Sequence, residues 1–282
     1  MNILTKQYIK AQERKGIQFS KARAFWKAKR KVLDVKKAKY ENKTIVYPDY
    51  FTDKIHTYKD GHLNWDHAYQ THCHMQGSAL MSMKDIMGTT KFTPEEAYVH
   101  YKNYILKNIM SVFPKDIKYL ADLGCGTCET TSLLANKFSD SYIAGIDLSP
   151  NYLSIADYNY SNLPNTQLFH ANMEDVPFES NFFDAVTICY AFHEMIPMAI
   201  ENSLLEAKRI LKPHGTLVIL DMDPEKLPKY PDFIDFSEPH LQNYRSVKIL
   251  QLLNYFGYIN CNKRDLHNYS SMFYAQKSPK EH

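Results

Sequence analysis

The segment from Leu120 to Asp147 constrains the fold more than any other part of the chain. A short apolar run, Leu120–Leu123, is followed by Gly124 and Gly126, and a second apolar run ends in Asp147. An apolar run bounded by glycines is typical of a buried strand that leads into a sharp turn. The pattern predicts a strand, a turn, a helix and a second strand, which is the repeating unit of a parallel sheet covered by helices.

The glycine turn predicts a binding site for a ligand that contains a nucleoside. Gly124 and Gly126 allow a ligand to lie against the backbone, and the free N–H groups of the following helix favour an anionic group. Asp147 stands where a carboxylate can accept hydrogen bonds from two ribose hydroxyls. Dinucleotide-binding enzymes share these features, but their third glycine would stand at position 129, where this chain has Glu129.

Further segments occur in the order found in one large family. Asp122 stands two residues before Gly124, and residues 171–178, 181–189 and 207–219 follow. Together with the glycine turn, these segments resemble the class I S-adenosylmethionine-dependent methyltransferases, and within them the ubiquinone/menaquinone-biosynthesis type. Residues 47–50, residues 56–65 and His193–Glu194 are similar to plant-type members of the same family.

The resemblance implies an α/β fold with a Rossmann-like, seven-stranded, mainly parallel sheet whose last strand is antiparallel, preceded by a basic helical N-terminal extension. We expect three parts: the extension at residues 1–43, a lid or linker at 44–92, and the methyltransferase domain at 93–282. The lid is expected to hold an extended stretch and a short helix. Thr93 begins a capping box that predicts a helix to about residue 112. Predicted strands lie near 118–123, 141–147, 166–170, 183–189, 215–221, 258–264 and 271–277, and predicted helices near 128–138, 150–160, 197–211 and 241–256.

The resemblance also implies which residues hold S-adenosyl-L-methionine. We expect these to be Asp122, Gly124, Cys125, Gly126, Asp147, Leu148, Asn172, Met173 and Tyr190. Asn172 replaces the usual aspartate of the family, and its amide oxygen can accept a bond from the adenine amino group. His193 and Glu194, just after the fourth strand, are the predicted catalytic residues, which position the acceptor and remove its proton.

The predicted function is transfer of a methyl group from S-adenosylmethionine to a small-molecule acceptor, at an O, N or C atom that the sequence leaves open. Residues 189–193 lack both the Asn- or Asp-Pro-Pro-Tyr motif of enzymes that methylate exocyclic nitrogens and the paired cysteines of cytosine-C5 chemistry. Two alternatives stay open. One is an RNA methyltransferase that uses the basic arm, and the other is a degenerate methyltransferase kept as a structural subunit, because Asn172 and Cys128 depart from the family pattern.

Charge is divided unevenly along the chain. The formal net charge is +3, but residues 1–43 hold 14 Lys and Arg against 3 acids, while the rest of the chain holds 20 against 28. Apolar residues such as Ile9, Phe25 and Trp26 recur among the lysines and indicate one or two basic amphipathic helices. Such a segment can pack on the domain as a solvated helix, serve as an organelle presequence, or bind RNA or an acidic protein.

The cysteines and histidines indicate the cellular compartment of the protein and whether it binds a metal ion. Five cysteines and no run of eighteen apolar residues indicate an intracellular protein, cytoplasmic or mitochondrial, without a membrane span. Cys125 and Cys128 have the spacing of a redox pair but lie inside the glycine turn. His72 and His74 would point about 200° apart on a helix, so no metal site is predicted.

Overall fold

The computed structural model describes residues 3–54, 58–89, 91–227 and 239–279. Its strands are β1 (Tyr119–Leu123), β2 (Tyr142–Asp147), β3 (Thr166–His170), β4 (Phe183–Cys189), β5 (Leu211–Met222), β6 (Tyr258–Asp265) and β7 (Ser270–Lys277). They form one sheet in the order β3-β2-β1-β4-β5-β7-β6. Strands β1 to β5 run parallel, whereas β7 runs antiparallel to both of its neighbours. The predicted fold class is therefore confirmed.

In the described residues, five α-helices lie before residue 93. They are α1 (Ile3–Glu13), α2 (Phe19–Ala28), α3 (Arg30–Tyr40), α4 (Asp49–Thr52) and α5 (Trp65–Met87). The extension thus holds three helices rather than the predicted one or two. Gly16, at φ +94°, separates α1 from α2, and the backbone leaves helical geometry at Lys29 between α2 and α3. The positive φ of Gly16 is incompatible with a continuing helix, whereas Lys29, at φ −91° and ψ 3°, interrupts the helix without a left-handed residue.

The helices of the predicted methyltransferase domain, residues 93–282, cover both faces of the sheet. They are α6 (Pro94–Met110), α7 (Glu129–Lys137), α8 (Pro150–Tyr160), α9 (Pro197–Ile210), α10 (Leu241–Tyr244) and α11 (Ile249–Tyr255). The capping box predicted at Thr93 is present, with Glu96 as its partner. The prediction of one helix near 241–256 is wrong in one respect, because the structure has two helices there, α10 and α11. Val247, between them, is buried in the core. Between β5 and α10, residues 228–238 lie outside the described residues.

The predicted short helix of the lid is instead the 23-residue α5. The Asn64 side chain begins it by accepting hydrogen bonds from the N–H groups of Asp66 and His67, and Gly88, at φ +66°, ends it. Four successive residues, His67–Gln70, are buried because α5 packs against α2, α6 and α8. A helix covered on several sides carries no polar stripe, so the sequence showed no period from which its length could be predicted.

The N-terminal extension is packed onto the domain. Leu33 of α3 is fully buried with Tyr152 and Ile155 of α8, while Ile17 and Phe19 are buried beside α5. In the described parts of the chain, none of the helices combines the length and the apolarity that crossing a bilayer requires.

Candidate active site

The glycine turn after β1 is open on one side and crowded on the other. Gly124 and Gly126 have φ values of +72° and +54°, in the region that favours glycine. A Cβ on Gly124 would lie 2.8 Å from Met173 Cε and 3.2 Å from Ala191 Cβ, whereas a Cβ on Gly126 would meet nothing within 4 Å. The free space beside Gly126 is a cradle in which a ligand can approach the backbone.

Asp147 ends β2 at the rim of this turn. One carboxylate oxygen accepts the N–H of Gly126 at 2.8 Å, and the other accepts the N–H of Ser149 at 2.7 Å. Each oxygen keeps a further lone pair that a ribose hydroxyl can use. Burial raises the pKa of Asp147 to about 6, and the charge of Glu194 contributes to the rise. Ala191, two residues before His193, lies against Gly124, so the predicted catalytic segment and the glycine turn meet at the same edge of the sheet.

Asp122 lies beneath the turn rather than at its surface. Its two oxygens accept the hydroxyl protons of Thr131, at 2.6 Å, and of Thr187, at 2.7 Å, so that it joins β1 to α7 and β4. Burial raises the pKa of Asp122 to about 6. Its observed contacts support the turn, and its predicted contact with a cofactor stays a prediction.

The two cysteines of the turn face each other. The Sγ atoms of Cys125 and Cys128 are 3.7 Å apart, and both thiols are free and buried. Burial raises the pKa of Cys125 well above its usual value, which disfavours the reactive thiolate. Cys128 has φ +67°, so its backbone is in the left-handed region. This conformation favours glycine, which is the residue that the family commonly has here.

The residues predicted to contact adenine lie where β2 and β3 end. The carbonyl oxygen of Leu148 accepts the Nε2–H of His170 at 3.0 Å. The Asn172 amide oxygen accepts the N–H of Glu174 at 3.1 Å, and Glu174 accepts the hydroxyl proton of Tyr50 at 2.6 Å. The segment before α5 therefore holds the adenine-side loop in place.

Tyr190 occupies a strained backbone position at the end of β4. Its φ is +54°, which is uncommon for a bulky residue, and its N–H donates to the carbonyl of Leu220 at 2.7 Å. Its hydroxyl forms a hydrogen bond with that of Tyr101, which in turn lies 3.2 Å from His267 Nε2. Tyr190 is thus anchored towards α6 and the β6–β7 turn.

His193 and a buried carboxylate form a pair at the same edge of the sheet. His193 Nδ1 lies 2.7 Å from an oxygen of Asp221, a fully buried residue near the end of β5. Asp221 also accepts the N–H groups of Phe192 and Met222, both at 2.7 Å. A carboxylate accepts only, so we assign the Nδ1 proton to His193, which leaves Nε2 as its proton-accepting atom. Sequence reasoning missed Asp221, although the rule that ligands gather at the carboxyl ends of strands points to it.

The lid supplies a second imidazole. His62 Nε2 lies 3.3 Å from Glu194 Oε2, and His193 Nε2 lies 3.9 Å from Glu194 Oε1. On the other side of His62, Nδ1 is 3.2 Å from the hydroxyl of Tyr152, which also lies 2.9 Å from His67 Nδ1. Glu194 is therefore held between a histidine of the lid and a histidine of the domain. No sequence pattern indicated this pairing.

The structure brings most of the predicted site to one edge and separates the suspected metal ligands. That edge holds the glycine turn, Asp147, Met173 and the His193–Glu194 pair. The histidines of α5 are directed elsewhere: His72 pairs with Glu95, and His74 packs against Phe19. Within the ranges that the structure describes, no three His, Cys, Asp or Glu side chains could hold a metal ion.

Comparison with known proteins agrees with this geometry. Residues 121–219 match the profile of the Methyltransferase domain family. The demethylmenaquinone methyltransferase of Staphylococcus epidermidis is 34% identical over 127 residues, which are 44% of this chain and 52% of the relative. That of Lysinibacillus sphaericus is 30% identical over 142 residues, 50% of this chain and 58% of the relative. The chain spans about half the length of the curated relatives it matches.

Solved structures share the fold at low identity. A protein from Pyrococcus horikoshii has a TM-score of 0.53 and 16% identity, with 72% of this chain and 99% of that chain covered. An S-adenosylmethionine-dependent methyltransferase from Aquifex aeolicus has a TM-score of 0.50 and 19% identity, with 62% and 91% covered. The cyclase SpnF has a TM-score of 0.54 and 14% identity, with 74% and 96% covered.

The sequence and fold comparisons together confirm the resemblance to class I S-adenosylmethionine-dependent methyltransferases of the quinone-biosynthesis type. Because a cyclase also has this fold, the reaction has to be argued from the site rather than from the fold.

Proposed function

We propose that this chain transfers a methyl group from S-adenosylmethionine to a small molecule whose nucleophilic atom gives up a proton to His193. The observation that carries the proposal is the 2.7 Å contact between His193 Nδ1 and the buried Asp221, at the sheet edge that also holds Asp147 and the glycine turn. A histidine fixed in this way by a carboxylate is suited to act as a general base.

The residues present fit the cofactor. The cradle at Gly126 has room for a ligand against the backbone, and Asp147 has lone pairs for the ribose hydroxyls. Asn172 and Met173 stand where the adenine is expected. When bound, S-adenosylmethionine supplies an activated methyl group together with its own leaving group. The protein then has to align the acceptor, keep out water and accept a proton.

Asp221 acts through His193. By holding the Nδ1 proton, it fixes the tautomer in which Nε2 accepts, and its charge stabilises the imidazolium that forms after proton transfer. Glu194, which lies between His193 and His62, is placed to orient an acceptor hydroxyl. The ring of His62 stacks on that of Phe51, with 5.0 Å between the ring centroids, and both side chains are proposed to cover the acceptor. These contacts support a closed site from which water is excluded.

The proposed acceptor is a small molecule with an ionisable hydroxyl or an activated carbon, such as a hydroxylated ring. The relatives from Staphylococcus and Lysinibacillus are named for methylation of demethylmenaquinone, which supports a ring of this kind. A base is needed for phenols and activated carbons, because the attacking atom becomes nucleophilic only as its proton leaves.

Two measurements test the proposal. Calorimetric titration with S-adenosylmethionine and S-adenosylhomocysteine is expected to show binding. Incubation of the purified protein with methyl-labelled S-adenosylmethionine and a metabolite extract is expected to label a small molecule. Absence of binding at millimolar cofactor would instead support the alternative of a structural subunit, and labelling of RNA alone would support the RNA methyltransferase.

A further inference from the structure

The N-terminal helices carry an excess of positive charge that carboxylates of the described residues neutralise only in part. All three acids of residues 1–43 are engaged locally. Glu13 accepts the backbone N–H of Ser20 at 3.0 Å, Asp34 pairs with Arg30 at 2.7 Å, and Glu41 pairs with a lysine one turn before it. Lys36 and Lys39 are matched by Asp157 of α8. Arg23 is paired with Asp66 of α5 at 2.7 Å, so these ion pairs together involve five of the 14 basic groups of the extension.

The remaining cations point outward. We define the basic face as the exposed lysines of α1 to α3 and of the following loop, among them Lys10, Lys15, Lys21, Lys27, Lys31 and Lys43. In the described portions of the molecule, no carboxylate pairs with any of these six ammonium groups. The buried sides of these helices are fixed to the rest of the protein, with Leu33 of α3 and Ile9 of α1 in apolar clusters, so the exposed lysines stand on docked helices.

Apolar side chains are exposed among these lysines. Val35 is 73% exposed, Phe25 is 50% exposed and Val32 is 45% exposed. On α3, Lys31 and Val35 are one helical turn apart, so they share a face. The exposed valines do not contribute to the core. Together with the lysines around them, they form a surface that is complementary to a partner with both anionic and apolar groups. A lipid headgroup region with acyl chains beneath it has this combination.

We propose that the basic face binds the surface of an anionic lipid bilayer. Its charge is complementary to anionic headgroups, and Phe25, Val32 and Val35 can enter the boundary between headgroups and acyl chains. Recognition of nucleic acid fits less well, because contacts with phosphates would leave the exposed side chains of Val32 and Val35 in water. Lysines make up most of the face. Arg30 is engaged with Asp34 and with the ring of Trp65, 4.2 Å from the ring centroid, and the ring of Phe25 is approached by Lys29 Nζ at 5.7 Å.

The binding is peripheral and electrostatic. It does not depend on the proposed methyl transfer, since none of the residues in the basic face belongs to the site. Each basic group near an anionic membrane surface is worth a factor of about 5 in binding. Screening shortens the range of this attraction from about 10 Å in 0.1 M salt to about 3 Å in 1 M salt.

The test is cosedimentation of the full-length protein with vesicles of phosphatidylcholine alone and of phosphatidylcholine mixed with phosphatidylglycerol. We expect binding only to the anionic vesicles, and release at about 1 M NaCl. The double variant Lys27→Glu/Lys31→Glu is expected to lower the partition coefficient by at least about 20-fold. Val32→Thr/Val35→Thr, which preserves shape, is expected to weaken binding while leaving its salt dependence unchanged.

The control is Lys115→Glu/Lys118→Glu, which changes the net charge equally on exposed lysines before β1 and is expected to keep vesicle binding within a factor of about 2. Thermal unfolding followed by circular dichroism confirms that each variant is folded. The proposal is overturned if anionic vesicles do not bind the protein, or if both charge-reversal variants lose binding equally. Retention of polyuridylate RNA without vesicle binding would also overturn it. Cofactor titration on the same preparations separates these outcomes from failure of the proposed catalytic function.

Discussion

Single residues determine the protonation chemistry of the site. Asp147 is buried beside the glycine turn, and its pKa, raised by burial to about 6, lies well above that of an exposed aspartate. A ribose hydroxyl donates a stronger hydrogen bond to a charged carboxylate than to a neutral carboxyl group. We therefore expect the charge state of Asp147 to affect how tightly S-adenosylmethionine binds.

The first prediction concerns Asp147. Replacement by Ala is expected to weaken S-adenosylhomocysteine binding by about 1.5–3 kcal/mol, the contribution of charge-assisted hydrogen bonds. Because the carboxyl group is charged above its pKa, wild-type affinity is expected to fall as the pH drops below about 6. Asp147→Asn is expected to bind more weakly and without this pH dependence. Calorimetry at pH 5 and pH 7.5 measures both effects.

The control for this prediction is Asp140→Asn, on an exposed turn. Unchanged affinity in Asp147→Ala would show that Asp147 does not belong to the cofactor site.

The second prediction concerns the His193–Asp221 pair. His193→Ala is expected to lower turnover by about 10²–10⁴, the usual contribution of a general base, and to leave cofactor affinity nearly unchanged. Asp221→Asn is expected to lower turnover and to displace the pH profile, because the tautomer of His193 is no longer fixed. Turnover is measured with the acceptor that the labelling experiment identifies, with and without added imidazole, which is expected to restore part of the His193→Ala activity. The exposed His100→Ala is the control. Full turnover in His193→Ala would exclude it from the mechanism.

At the scale of elements, the segment that follows α3 is linked to the end of β3. The N–H of Asn42 donates to His170 Nδ1 at 2.8 Å, and His170 Nε2 donates to the carbonyl of Leu148. His170 must be neutral to accept at Nδ1 while it donates at Nε2. Burial lowers the pKa of His170 below its usual value, in agreement with this state.

The third prediction follows from the neutral state of His170. Its folded-state pKa is depressed, so the stabilisation is present above the unfolded pKa of about 6.5 and is lost as the pH falls through the folded-state value. His170→Phe leaves the Asn42 N–H and the Leu148 carbonyl unpaired. At pH 7.5 this is expected to lower the free energy of unfolding by about 1–3 kcal/mol, and the difference should narrow at pH 5. Urea unfolding at both pH values measures it, with the exposed His100→Phe as control. A gap of constant size would contradict the assignment.

At the scale of the whole molecule, the N-terminal extension is part of the packed structure. Its three helices bury apolar side chains against α5 and α8, and Asp157 of α8 receives Lys36, Lys39 and Tyr40 from α3. These contacts favour the packing interpretation of the basic segment over a presequence that is removed, because removal would expose the partner surfaces on the domain.

The fourth prediction tests this docking with two positions on one helix. Leu33→Ala is expected to lower the free energy of unfolding by about 2–5 kcal/mol, because the side chain is fully buried. Val35→Ala, at an exposed position two residues away, is expected to change it by less than about 0.5 kcal/mol. Thermal or urea unfolding of the full chain measures both. Equal stability of the two variants would mean that α3 is not docked in solution.

Much of the fold was readable from the sequence because it depends on local patterns. The bounds of β2, β3, β4 and α8 were predicted to within one residue, since apolar runs, glycines and capping residues stand at their ends. The length of α5 was not, because its surroundings, rather than its own periodicity, make it a helix. The division of the last predicted helix into α10 and α11 likewise depends on a tertiary contact, the packing of Val247 in the core.

The sequence by itself determined the parallel sheet, the glycine turn and the carboxylates that stand after particular strands, because each follows from neighbours along the chain. Only the tertiary structure decided that Asp221 holds His193, that His62 of the lid meets Glu194, and that Asp122 lies under the turn with both oxygens engaged. Side chains far apart along the chain meet through the packing of whole elements, and no local pattern encodes the distance or the direction at which they meet.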